Sequence, residues 1–295
     1  MSSRITSGLA RAPLPVNPWA PALDASIAVE VRIRAPDPFG GRIPTRLPKE
    51  EKVALDDGFE GFRPAAFRFL RDLGRNNDKV WFEANREVYE REVRGPMRQL
   101  VETLDARLRS IAPEIVGDPK RSMFRIHRDV RFSRNKSPYK TNAGAWLYHR
   151  DAGRKVGTVG EGGGAGFYFH IDPTTCFMAG GIWMPARPAL LRIREAIAAQ
   201  PTALARLTSA PAFRRRFDGL SEEAKLQRVP RDFPPDHPAA DWLKLQSFTA
   251  RAAIDPKTVT SPRLVERLCR DFELLVPLVR WLNRGLGYQP AKTRL

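Results

Sequence analysis

Between Phe124 and Met184 the chain is cut into short stretches, Phe124 to Ser133, Ala143 to His149, Gly166 to Asp172 and Cys176 to Met184, rich in aromatic and β-branched residues and separated by Gly, Asn, Pro and Lys. Strands of that length must pair with one another and bury a common face against something else. Helical spacing on both sides supplies the cover. Upstream, Phe62, Phe67, Leu70 and Leu73 share one face of a helix with Pro64 in its first turn and Gly74 at its end. Asp78 is placed to cap a second helix, which runs through Trp81, Phe82, Val88 and Tyr89 to Pro96, and Leu100, Leu104 and Leu108 mark a third. Downstream, Leu190, Ile193 and Ile197 return to helical period. Ser261-Pro262 opens a last helix with Leu264, Leu268, Phe272 and Leu275 inward. Between them, Pro211 to Pro238 reads as a helix followed by an extended surface loop. Helices, then strands, then helices predict an α+β domain, an antiparallel sheet flanked by N-terminal and C-terminal helices, and argue against a doubly wound parallel sheet.

Residues 1 to 58 read differently. Pro13, Pro15, Pro18, Pro21, Pro36, Pro38, Pro44 and Pro48 break every period, which predicts a disordered Pro/Arg-rich extension, with a short alternating run from Ser26 to Arg34. The expected division is an extension over 1–58, a single α+β domain over 59–288 and a tail over 289–295. With 295 residues and 42% apolar side chains the chain sustains a sizeable core. Its net charge is +17, yet the first 58 residues hold eight basic and seven acidic side chains, so the surplus belongs to the folded part. Such a field draws nucleic acid, anionic metabolites or acidic surfaces, although an Arg-rich composition alone gives the same sign. Cys176 and Cys269 are the only cysteines, too few for a disulfide framework or a cysteine metal site, which suits a reducing, cytoplasmic setting. No apolar run approaches the ~18 residues of a membrane span. The Gly157 to Gly166 stretch lacks the Walker spacing and its Lys-Ser or Lys-Thr, and reads as a hairpin connection.

The densest signal runs from Arg121 to Lys140, where seven Lys or Arg accompany one acid, Asp129. As a strand, Phe124 to Ser133 would point Phe124, Ile126, Val130 and Phe132 one way and Arg125, His127, Asp129 and Arg131 the other. Arg128 then falls on the apolar side, where its charge requires a carboxylate, a ligand or the sheet rim. Asp129 can orient the neighbouring guanidinium forks. Pro138 stiffens the following turn, from which Lys136, Tyr139 and Lys140 can close over whatever the arginines hold. The donors Arg125, Arg128, Arg131, Lys136 and Lys140 form a candidate anion-binding set for phosphate or carboxylate. The bland alternative is a set of structural ion pairs and solvated lysines.

The run Arg125-x-x-Arg128-Asp129-x-Arg131-Phe132-Ser133-x-x-Lys136-x-Pro138-Tyr139-Lys140 resembles the signature of a conserved bacterial and fungal family labelled domain of unknown function 2461. The similarity continues in Asn76-Asn77-x-x-x-Trp81-Phe82 with Tyr89, in Gly166-Phe167-Tyr168-Phe169-His170-Ile171 and in Gly180-Gly181, over approximately residues 60 to 285. The resemblance implies one domain centred on the basic motif. It supplies neither substrate nor mechanism, nor a cofactor.

His127-x-Asp129 and His170-x-Asp172 each put a His and an Asp on one strand face, a pattern neighbouring strands can combine into a metal site; the surrounding cations oppose it, and no metal is assigned. The sequence contains no H-E-x-x-H, no G-x-S-x-G and no Cys-His signature. Two main classes stay open. One is a nucleic-acid binder with Trp146, Tyr148, Phe167 or Tyr168 stacking on bases; the other is an enzyme on a small phosphorylated or carboxylated substrate, with Asp129, His127 or Tyr139 moving a proton. A third, protein-interaction role uses the same basic surface. A compact cluster favours the small ligand and a broad basic surface the polymer.

Overall fold

The structure is a computed structural model, and it describes residues 58–131, 135–152 and 163–291. The expected N-terminal extension and most of the Gly157 to Gly166 connection therefore lie outside the described residues, as do Phe132, Ser133 and Arg134 of the basic motif. The helices come first. α1 (Pro64–Arg75) opens on a proline and buries Phe67, Phe69, Leu70 and Leu73. The Asp78 side chain accepts from the Trp81 amide and caps α2 (Lys79–Ala84). Here the expected single helix to Pro96 is interrupted. Asn85 sits outside helical geometry, α3 (Arg86–Val88) is one short turn, and a π-helical turn follows over Tyr89–Arg94. Pro96 lies in the first turn of α4 (Gly95–Ile111), directly after that π turn, where it withholds an N–H from the preceding carbonyls.

The sheet has five antiparallel strands in chain order: β1 (Ile115–Val116), β2 (Ala143–His149), β3 (Gly166–Ile171), β4 (Cys176–Ile182) and β5 (Phe248–Ala253). Three of the expected strands appear, β2 with the expected ends and β3 and β4 stopping one and two residues early. β1 and β5 carry no strong strand pattern. The expected strand from Phe124 is the exception. It runs extended beside the 138–146 segment and makes only isolated bridges, Met123 to Ala145 and His127 to Tyr139. Four backbone bonds tie the two segments: Phe124 N–H to Gly144 O, Trp146 N–H to Ser122 O, Lys140 N–H to Ile126 O and Arg128 N–H to Pro138 O.

Register sorts the sheet into two faces. Ala145, Phe169, Met178 and Ala252 are cross-strand neighbours, as are Leu147 and Phe167 with Gly180 beyond. This face is covered by α4 and by the long α10 (Arg263–Gly285), which pack against β2 and β4. Phe167 stacks on Phe272 of α10 at 4.4 Å between ring centres. Gly180 permits that approach, because a Cβ there would meet the Leu275 side chain at 2.8 Å. The opposite face carries Trp146, Tyr168, His170, Phe177, Ala179 and Arg251. α5 (Arg187–Ala199), α6 (Ala203–Ser209), α7 (Pro211–Arg214), α8 (Ala240–Leu243) and α9 (Pro256–Val259) complete the helical layer.

Two buried carboxylates fix α10. Asp271 receives both Arg216 and Arg267, and Glu114, 1% exposed, receives Arg280 at 2.6 Å. Burial pushes the Glu114 carboxyl up, but the Arg280 guanidinium and backbone amides outweigh it and hold the group below its ordinary 4.5. Stability from that depression is present above 4.5 and is lost as pH falls through the lower folded value. Glu114→Gln is expected to cost about 2–3 kcal/mol at pH 7. The difference from the wild type in denaturant melts should shrink steadily below pH 4.5; a pH-independent difference would remove the ionised pair as its cause.

Candidate functional site

The basic motif is held in place from outside by a single carboxamide. Asn77, between α1 and α2, donates from Nδ2 to Tyr139 O at 3.1 Å and accepts the Tyr139 N–H on Oδ1 at 2.9 Å. The side chain thus satisfies both backbone groups of Tyr139, as a paired strand would. The Tyr139 ring, 3% exposed, stacks on Phe82 of α2 at 4.2 Å, and the His127 ring lies 5.2 Å from it. Tyr139 is therefore an anchor in the helical layer. Burial, then the Glu83 charge, raises its hydroxyl pKa.

Exposure along the motif alternates as the strand reading requires, although the ladder is missing. Ile126 is buried, Phe124, Arg128 and Val130 are half-buried, and Arg125, His127, Asp129 and Arg131 are exposed. Asp129 accepts the Arg131 Nη2 at 2.7 Å and its Nε at 3.0 Å. That guanidinium and the Arg131 amide hold the Asp129 carboxyl at about 2, so it is a weak proton acceptor near neutral pH. Lys136 donates to Val130 O at 2.9 Å. These groups satisfy one another.

The others form a tighter set. Lys140 donates to Arg125 O at 3.0 Å and lies 5.7 Å from the Phe124 ring centre. Burial lowers its pKa first, and the neighbouring Arg125 and Arg128 charges lower it further. Arg128 reaches Tyr139 O only at 3.4 Å through Nη2, and its Nε is buried with no acceptor. Among the described residues, no carboxylate pairs with Arg125, Arg128 or Lys140 within 4.0 Å. The structure thus divides the five candidate cations: three lie together unneutralised, and Arg131 and Lys136 are bonded within the motif.

The two His-x-Asp pairs stay separate. His127 is beside Tyr139, whereas His170 is fully buried on the outer sheet face, its Nε2 3.1 Å from Asp172 Oδ2 and its Nδ1 3.0 Å from the Tyr168 hydroxyl. An ionised Asp172 can only accept, so Nε2 carries a proton, and in the neutral ring Nδ1 accepts from Tyr168. Asp172 Oδ1 receives the Thr174 amide and hydroxyl and the Thr175 amide. Burial raises the Tyr168 phenol pKa strongly, and the Asp172 charge adds to the rise. Sequence spacing paired His170 with Asp172, with no metal assigned, and missed Tyr168, two residues before His170 on the same face, as the third member of the set. No group of three or more His, Cys, Asp or Glu suited to a metal occurs among the described residues.

Of the expected base-stacking aromatics, Phe167, Tyr168 and Tyr148 are buried and Trp146 is half-buried. No helix among the described residues is long and apolar enough to cross a membrane.

Fold and site define an α+β domain in which a five-stranded antiparallel sheet, backed by helices, displays an extended basic segment at its edge. The chain belongs to the DUF2461 family of conserved hypothetical proteins, whose model matches residues 65–281. No curated protein and no solved structure matches it.

Removing the Asn77 clamp tests how the site is held. Asn77→Ala leaves the Tyr139 N–H and C=O without their partner and is expected to cost roughly 1–3 kcal/mol. Hydrogen exchange should show protection lost first at Tyr139 and its neighbours 126–128 and 138–140. Unchanged exchange there would mean that ring stacking on Phe82 holds the segment alone.

Proposed function

We propose that the basic motif is an anion-binding site for a phosphate-bearing ligand, held by Arg125, Arg128 and Lys140. One observation carries the reading: three neighbouring cations, two of them half-buried, lack a carboxylate partner among the described residues, and the Arg128 Nε is buried without an acceptor. Like charges gathered out of water repel and lose hydration, so the arrangement is unfavourable unless an anion completes it. Phosphate suits the set because its oxygens can accept from both guanidiniums and the ammonium together. The burial of Phe167, Tyr168 and Tyr148 favours a small ligand or a single phosphate group over a long nucleic-acid track. The site is read as a binding site. Neither Asp129, paired with Arg131, nor Tyr139, with its raised pKa, is suited to proton transfer near neutrality.

Calorimetric titration with inorganic phosphate, a phosphomonoester, a dicarboxylate and a short single-stranded oligonucleotide, at about 0.15 M salt, tests the proposal. The phosphomonoester is expected to bind, and Arg125→Met or Arg128→Met to weaken it by about tenfold or more each, while Arg131→Ala has a smaller effect. Affinity should fall on the alkaline side as Lys140 deprotonates, earlier than for a lysine of ordinary pKa. Tighter binding of the oligonucleotide, with a steep salt dependence, would replace the small ligand by a polymer. No binding of any probe, or binding indifferent to Arg128, would reject the site.

A further inference from the structure

A second site stands apart from the basic motif, at the β5 edge of the sheet. A cleft of about 510 Å³ lies between the outer face of β4 and β5 and the loop over residues 218–223. Its walls include Trp183, Thr249 and Arg251 on the sheet side and Asp218, Glu222 and Glu223 on the loop side. The loop is pinned there by the Ser221 N–H, which donates to Thr249 O at 2.8 Å. That volume falls within the range of small-molecule sites.

The lining groups are left without partners in a specific way. The Trp183 Nε1–H is buried and has no acceptor. Thr249 is 4% exposed, and its hydroxyl makes no hydrogen bond among the described residues. Buried polar groups normally have a partner, and the Thr249 hydroxyl, on a residue that lines the cleft, is one that a ligand there can supply. Arg251 makes no ion pair within 4.0 Å among the described residues, and neither do Asp218 and Glu223. Glu222 is taken up by Lys225 at 2.6 Å. Opposite charges therefore line one small space without reaching each other. A ligand bearing only a cation would leave the Arg251 charge and the Thr249 hydroxyl unmet, and one bearing only an anion would face two carboxylates.

We propose that this cleft binds a small zwitterion of the α-amino acid class, its carboxylate on Thr249 and Arg251 and its ammonium on Asp218 and Glu223. The indole face supplies a flat apolar wall for the ligand's side chain. This site is independent of the phosphate reading, and the Arg125 and Arg128 substitutions should leave it unchanged.

The test titrates the full chain with individual α-amino acids, followed by tryptophan fluorescence and calorimetry. The matching decarboxylated amines and deaminated acids serve as probes of each half. At least one amino acid is expected to bind saturably, with both half-molecules weaker by about tenfold or more, the loss that follows from removing a charge-assisted contact. Arg251→Met and the pair Asp218→Asn and Glu223→Gln should each reduce affinity to a similar extent. These positions are exposed, so an unchanged melting temperature separates lost binding from lost folding. Thr249→Val, which keeps the shape but removes the hydroxyl, should weaken the carboxylate end. An amine binding as well as its parent amino acid would make this a plain cation site, and a deaminated acid doing so would make it an anion site; either overturns the proposal. So does the absence of saturation up to about 10 mM of every amino acid.

Discussion

The architecture rests on the close approach of α10 to β4. Phe272 stacks on Phe167 across the space left by Gly180, and the same helix meets α4, α5, α6, α7 and α9 along its length. A fully buried aromatic of this kind contributes on the order of 2–3 kcal/mol by burial, and several line the contact. The helix also draws in charge. Asp271 collects Arg216 from beyond α7 and Arg267 from its own preceding turn, while Arg280 reaches Glu114 just ahead of β1. Apolar packing sets the distance between helix and sheet, and buried carboxylates set where along the helix its neighbours dock.

That frame was readable where side-chain periodicity was strong. Leu264, Leu268, Phe272 and Leu275 announce α10, and all four are buried. The aromatic content of Gly166–Ile171 announces β3. β5 escaped because Phe248–Ala253 is built largely of alanine and one exposed arginine, residues that say little about strand formation; its partner β4, with Gly180 and Gly181 in its path, leaves room for small neighbours. The segment from Phe124 failed in the opposite sense. Its alternation is real, since exposure follows it residue by residue, but alternation reports an extended backbone and does not require a regular ladder. The break at Asn85 carried no signal of the kind that proline or glycine gives, whereas the π turn runs directly into Gly95 and Pro96.

The candidate anion site was legible in its residue types and only partly in its geometry. Sequence grouped Arg125, Arg128, Arg131, Lys136 and Lys140 as one set; structure separates those with internal partners from those without, a distinction that depends on through-space distances of a few ångströms. The placement of Arg128 on the inward row did follow from parity alone. What parity could not give was Asn77, 62 residues from Tyr139 in the chain and bonded to both of its backbone groups. Tyr139 reads differently once its ring is found on Phe82. A residue expected to close over a ligand is instead the peg by which the basic segment is fastened to the helices.

Asp172 joins two matters usually treated apart. One of its oxygens closes the turn that links β3 to β4 through Thr174 and Thr175, and the other faces the buried His170 ring. Folding of that hairpin therefore selects the tautomer of the imidazole and, through it, the direction in which the Tyr168 hydroxyl points. The sequence of donors from turn to tyrosine has one polarity, written by a carboxylate whose position is fixed by backbone amides. Local chain geometry in this protein thus determines the location of a proton two side chains away.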